Sequence, residues 1–118
     1  MDDLSQMATA VRNFCNERDW GQFHTPKELA IGITTEAAEL LELFRFQTIE
    51  QMNQLLTDER VRSKVADELA DILFFLLRFS DLYGFDLEKS LENKIKSNSR
   101  RYPVETSRGN NRKAPHNG

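Results

Sequence analysis

One cysteine, Cys15, stands in 118 residues, so no disulfide can close within the chain. Five glycines and three prolines are few for that length, which argues against a turn-rich β fold and for long helices. No apolar run approaches the roughly 20 residues that a bilayer-spanning helix needs. The opening MDDLSQ lacks the basic and apolar regions of a secretion signal. There are only two histidines, His24 and His116. What is present, 39% hydrophobic and 30% charged residues, is the balance of a globular domain with a real core. A cytoplasmic protein with no membrane partner is the expectation.

The net charge of −3 hides an asymmetry. Residues 1–93 carry 9 Lys/Arg against 18 Asp/Glu, whereas residues 94–118 carry 7 against one, Glu105. A body this acidic is a poor partner for a nucleic-acid polymer. The basic C-terminal stretch suits an anionic ligand or an acidic neighbouring subunit. Beyond Glu105 the plainer reading is a solvated tail, and residues 104–118 are expected to be disordered.

Leu4, Met7, Ala8, Val11, Phe14 and Cys15 recur at helical spacing and predict a first helix to about Arg18. DWGQFH, residues 19–24, breaks the pattern and reads as a loop. Thr25-Pro26-Lys27-Glu28 then fits a helix start: threonine as N-cap, proline at the first helical position and glutamate at the third. That helix is expected to reach about Phe46. A short amphipathic piece near Ile49–Leu56 leads to a long helix over about Asp58–Tyr83, closed by Gly84. Asp86 caps a last helix to about Ser99, and Tyr102-Pro103 ends regular structure. No stretch alternates as a strand would. The predicted fold is all-α, an antiparallel bundle of three long helices plus a short one, in a domain over residues 1–103. DILFFLLRFSDLY is apolar around much of its circumference and needs cover on more than one face. A chain this small hardly supplies that cover, so a homo-oligomer, dimer or tetramer, is expected.

Four acids stand out against this pattern. Glu36 and Glu39 in TTEAAELLELF lie one helical turn apart, with Leu29 and Leu43 a heptad either side of Glu36. DELAD repeats the arrangement with Glu68 and Asp71, where Val61 and Phe75 flank Glu68 by a heptad. Solvated helix glutamates usually pair with lysines four residues on, but Glu36, Glu39 and Glu68 are followed there by Leu40, Leu43 and Ile72. A di-iron bundle needs Glu-x-x-His motifs, which are absent. In antiparallel helices all four carboxylates can converge, and they would repel unless neutralised. An oxygen-only ligand set suits a hard divalent cation, Mg²⁺ first and then Mn²⁺ or Ca²⁺.

E-x-x-E in TTEAAEL, a gap over residues 40–67 and E-x-x-D in DELAD resemble the signature of the MazG-like all-α nucleoside triphosphate pyrophosphohydrolases. ERDWGQFHTP before the first pair, LLELFRFQ after it and SNSRRYP near the end are similar to the dCTP pyrophosphatase branch. The resemblance covers about Phe14–Pro103. It implies a Mg²⁺-dependent house-cleaning hydrolase that converts dCTP, including 5-modified forms, to dCMP and pyrophosphate. It also implies sites built by helices of more than one subunit.

The resemblance makes Glu36, Glu39, Glu68 and Asp71 the metal ligands and catalytic acids, with one glutamate, Glu39 by preference, acting on the water. It puts Trp20, His24 and Phe46 along the base, Asn98 at a base edge, and Lys94, Arg101 and Tyr102 at the phosphates, with Arg100 a weaker candidate. Each has a plainer alternative: Trp20 packing on the core, His24 bonding within its loop, the basic residues favouring a helix C-terminus. Phe46 stands where the branch usually has tryptophan, Phe75 where it tends to have tyrosine, and Val11 near a position where some relatives carry histidine. The metal acids are thus intact and the base pocket altered. Alternatives that stay open are the same reaction on dUTP, dATP or a broader set, and a helical binding module without catalysis.

Overall fold

The computed structural model describes residues 3–114, and the chain divides after Gly84 into two compact units. The described residues are helical, without a strand. None of their helices is long and apolar enough to cross a membrane.

The first unit contains three of the long helices read from the sequence and the short one. Helix α1 spans Leu4–Glu17 and begins where the Asp3 carboxylate accepts the Gln6 N–H at 2.8 Å. Its inward stripe ends on Cys15, which is fully buried. The loop that follows holds a single 3₁₀ turn, Gly21–Phe23. Thr25 caps α2, Pro26–Phe44, by accepting the Glu28 N–H at 3.1 Å, with Pro26 in the first turn as expected. Helix α3, Ile49–Leu55, starts with a reciprocal capping box between Thr48 and Gln51. Asp58 caps α4, Glu59–Tyr83, and Gly84 ends it at φ 75°, a left-handed position that glycine adopts without a Cβ clash.

α2 and α4 run antiparallel, since Gly32 faces Phe75 while Glu36, one turn on, meets Glu68, nearly two turns back. The approach is close at Gly32, where a Cβ would stand 2.7 Å from the Phe75 ring. α1 joins α4 through Arg12, whose Nε and guanidinium NH2 donate to the two oxygens of Asp81 at 2.8 and 2.6 Å. The planar fork matches the carboxylate geometry, so the pair fixes register as well as charge. Leu29 and Leu77 complete the fully buried apolar centre with Cys15.

α2 stops two residues before the expected Phe46. Arg45 turns to an extended conformation and Phe46 takes φ 69°, which lets Thr48 adopt the β-region backbone that capping α3 requires. A left-handed φ on a bulky residue carries strain, and no apolar periodicity announces it.

In the second unit α5 spans Leu87–Arg101, two residues past Ser99. Asp86 caps it through the Lys89 N–H at 3.0 Å. Arg100 and Arg101 occupy its last turn, where cations favour the helix dipole, and Pro103 prevents Tyr102 from continuing it. A further turn, α6, spans Val104–Ser107 inside the stretch expected to be disordered. Residues 108–114 follow it without a helix, and the last part of that expectation, residues 115–118 with His116, lies outside the described residues.

Candidate functional site

The paired acids of α2 and α4 meet. Ligand oxygens of Glu36, Glu39 and Glu68 lie within 4.8 Å of one another. The i, i+3 spacing puts Glu36 and Glu39 on one face of α2, and the antiparallel packing brings Glu68 opposite. Oε2 of Glu36 and Oε2 of Glu68 are buried and have no hydrogen-bond partner among the described residues. A buried carboxylate oxygen left unpaired costs free energy, so both oxygens call for a cation or a proton.

Protons answer in part. The Glu36 carboxyl is pushed up from the ordinary 4.5 to about 7, chiefly by desolvation, then by the close carboxyls of Glu39 and Glu68, and by the charges of Glu39 and Asp71. Glu68 is also raised, again by desolvation first. The nearby Glu36 carboxyl works the other way, while Glu39 and the charge of Asp71 reinforce the rise. Asp71 is therefore an electrostatic neighbour of the trio while standing outside its ligand-distance group.

A divalent cation is the other answer, and the donor set fits one. Oxygens held at roughly 2.0–2.6 Å from Mg²⁺ or Ca²⁺ lie about 3–5 Å from each other, and those of the trio all lie within 4.8 Å. Glu36, Glu39 and Glu68 would contribute carboxylate oxygens, and two of those oxygens lack any competing protein donor.

Asp71 also borders an apolar groove of about 460 Å³, lined besides by Ala10, Val11, Phe14, Trp20 and Phe74. Aromatic rings build its wall edge to face: Phe14 meets Trp20 at 5.5 Å and Phe74 at 5.9 Å between centroids, and Phe74 meets Phe75 at 5.5 Å. Such a wall accepts a flat ring, and its one acid stands on the side of the carboxylate cluster. Trp20, chosen from sequence for a base, thus shares a cavity with Asp71, chosen for a metal.

His24 stands beside Trp20, with ring centroids 6.4 Å apart. Its Nδ1 accepts from the Nε of Arg78 at 2.9 Å, and its carbonyl accepts from the Tyr83 hydroxyl at 2.7 Å. Arg78 was not anticipated. It is 2% exposed, and the available signal was a lone cation in the apolar run ILFFLLRFS. Such a residue needs a polar partner, and His24 supplies it.

The other sequence candidates are placed as follows. Phe46 is 86% exposed, covered only by the Arg45 guanidinium at 4.5 Å, and makes no ring contact with Trp20 or His24 among the described residues. In the second unit Lys94 is exposed and Asn98 half-buried on α5. Arg101 donates to the Ala114 carbonyl at 3.2 Å, and the Tyr102 hydroxyl accepts the Ala114 N–H at 2.8 Å. Arg101 and Tyr102 border a polar cavity of about 340 Å³ with Arg112 and Lys113.

Comparison with known proteins supports this reading of the fold. The chain is 38% identical over 96 residues to the protein named dCTP pyrophosphatase 1 of Bos taurus, covering 81% of this chain and 57% of that one. It is 35% identical over 100 residues to the human protein of the same name, covering 85% and 59%. It therefore spans little more than half the length of the curated relatives it matches. The crystal structure of a pyrophosphatase from Archaeoglobus fulgidus superposes with a TM-score of 0.78 at 34% identity, covering 84% of this chain and 91% of that one. A family model described as MazG-like matches residues 31–115, a span that contains all four acids. With helices, acid pairs and relatives in agreement, the chain belongs to the MazG-like family.

Proposed function

We propose that this protein is a metal-dependent nucleotide pyrophosphohydrolase that cleaves dCTP, and 5-modified dCTP, to the nucleoside monophosphate and pyrophosphate. The observation that carries the reading is the carboxylate trio of Glu36, Glu39 and Glu68 with its two buried, partnerless oxygens. Its support from outside the chain is the identity to proteins named dCTP pyrophosphatase 1.

In this reading Glu36, Glu39, Glu68 and Asp71 hold Mg²⁺, with Mn²⁺ as a substitute of similar oxygen preference. A bound cation of this kind neutralises triphosphate charge and eases ionisation of water. Glu39 is the exposed member of the trio, and its carboxylate takes the proton from the attacking water. The water oxygen bonds to phosphorus, the bond from that phosphorus to the bridging oxygen breaks, and pyrophosphate leaves. Trp20 lies against one face of the base in the apolar groove. Phe46 contributes a second aromatic surface. Lys94, Arg101 and Tyr102 meet the phosphates, Asn98 a base edge. The working enzyme is a homo-oligomer, in which the exposed Ile31, Leu41 and Leu69 find cover.

One observation favours a broader substrate range. Among the described residues lining the groove, Asp71 and the Trp20 indole alone offer charge or hydrogen bonds, and apolar walls tolerate any flat ring. Incubation with dCTP, 5-methyl-dCTP, dUTP and dATP in the presence of Mg²⁺ tests both points. Equimolar pyrophosphate and monophosphate are expected, with the cytosine nucleotides turned over fastest. Release of single phosphate, or no turnover of any of the four, overturns the reading.

A further inference from the structure

Arg78 sits on the part of α4 that faces the loop carrying Trp20 and His24. It is almost wholly enclosed, and its Nε donates to His24 Nδ1 at 2.9 Å. A Cβ on Gly21 would lie 3.6 Å from the Arg78 NH2, so the guanidinium fits directly beneath the 3₁₀ turn.

A guanidinium has five N–H donors, no acceptor, and does not deprotonate in proteins. A nitrogen that accepts from it carries no proton. In His24 that nitrogen is Nδ1, which leaves Nε2 as the position for the ring hydrogen. The Tyr83 hydroxyl holds the loop from the other side, through the His24 carbonyl at 2.7 Å. Nε2 has no partner among the described residues. Desolvation foremost, and then the charge of Arg78, lower the imidazole's affinity for a second proton.

We infer that Arg78 is a positioning residue that fixes His24 in the Nε2–H tautomer, so that His24 offers a donor to an acceptor atom of the ligand beside Trp20. The acceptor side of this inference rests on the nucleotide reading above; the tautomer does not. A base with a carbonyl oxygen or an unprotonated ring nitrogen on that edge, as cytosine has, is the matching chemistry. A ligand presenting only donors there meets His24 unfavourably, because Nδ1 is already committed. Selectivity that the apolar groove cannot supply thus comes from a buried cation on α4.

Nuclear magnetic resonance of the ¹⁵N-labelled, nucleotide-free protein reads the tautomer, and His116→Gln identifies which of the two imidazoles belongs to His24. The expected result is a ring proton on Nε2 and a coupling across the hydrogen bond between Arg78 Nε and His24 Nδ1. A ring proton on Nδ1 overturns the inference whether or not dCTP is turned over. In the active protein, Arg78→Met should raise KM for dCTP about five- to tenfold, the value of one lost hydrogen bond, with kcat unchanged. Arg78→Gln, which keeps an N–H donor, should recover part of that loss. Wild-type KM in Arg78→Met overturns the inference. Should the methionine variant lose helicity, the coupling in the unaltered protein decides. Absence of dCTP turnover by the wild type defeats the nucleotide reading alone.

Discussion

Glu36 shows at residue scale how packing and chemistry compete. A half-buried carboxylate between two others gains a proton near neutrality instead of holding a charge. Its folded-state pKa of about 7 stands above the ordinary 4.5, so its contribution to stability is whole below 4.5 and is lost as pH rises through about 7. Calorimetry of the chelator-treated protein should therefore show a melting temperature that falls across that window. Saturating Mg²⁺ should remove the fall by binding the folded state, and Glu36→Gln should flatten it. Replacing Glu68 with glutamine should reduce pyrophosphate release about 100-fold or more, since even residues behind metal ligands are worth roughly 10–100-fold. The metal-free Glu68→Gln protein should melt no lower than wild type, because one repelling charge has gone. The acids were legible in sequence because apolar residues occupied their i+4 positions. The Arg78–His24 bond was not, because the partners are 54 residues apart and only the fold joins them.

Helices and caps were legible to within a residue or two, since each announced itself locally: Thr25-Pro26, Gly84 and Asp86 all cap where the sequence placed them, and α4 starts one residue after Asp58. The left-handed Phe46, the 3₁₀ turn and α6 were not, because each depends on how the neighbouring backbone leaves its helix. The pairing of α2 with α4 also turns on a residue whose role is invisible locally. Gly32 has nothing unusual in its helix, yet its missing Cβ makes room for the Phe75 ring. Gly32→Ala gains about 1 kcal/mol of helix propensity but forces the ring aside at about 1–3 kcal/mol. A net loss near 1 kcal/mol is expected, about 4 °C in thermal melting. A variant that melts higher than wild type would show the ring to be freely displaced.

At the scale of the whole molecule the chain buries little for its size: Cys15, Leu29 and Leu77 are its fully enclosed apolar residues among those described. Leu69 is 52% exposed on α4, with Leu73 and Leu76 also uncovered. Apolar area of this extent on a helix otherwise suited to a core is the mark of an interface. Sedimentation should give a mass that is a multiple of 13.7 kDa, and Leu69→Glu should return it toward one chain without loss of helicity. A wild type that sediments at 13.7 kDa would exclude the assembly. The enclosed guanidinium on α4 reaches further than its own loop. Together with desolvation, the larger cause, it lowers the imidazole's affinity for a second proton, while the carboxyls of Glu36 and Glu68 are held above their ordinary range. A change of pH near neutrality is then felt at the carboxylate trio before it reaches the imidazole.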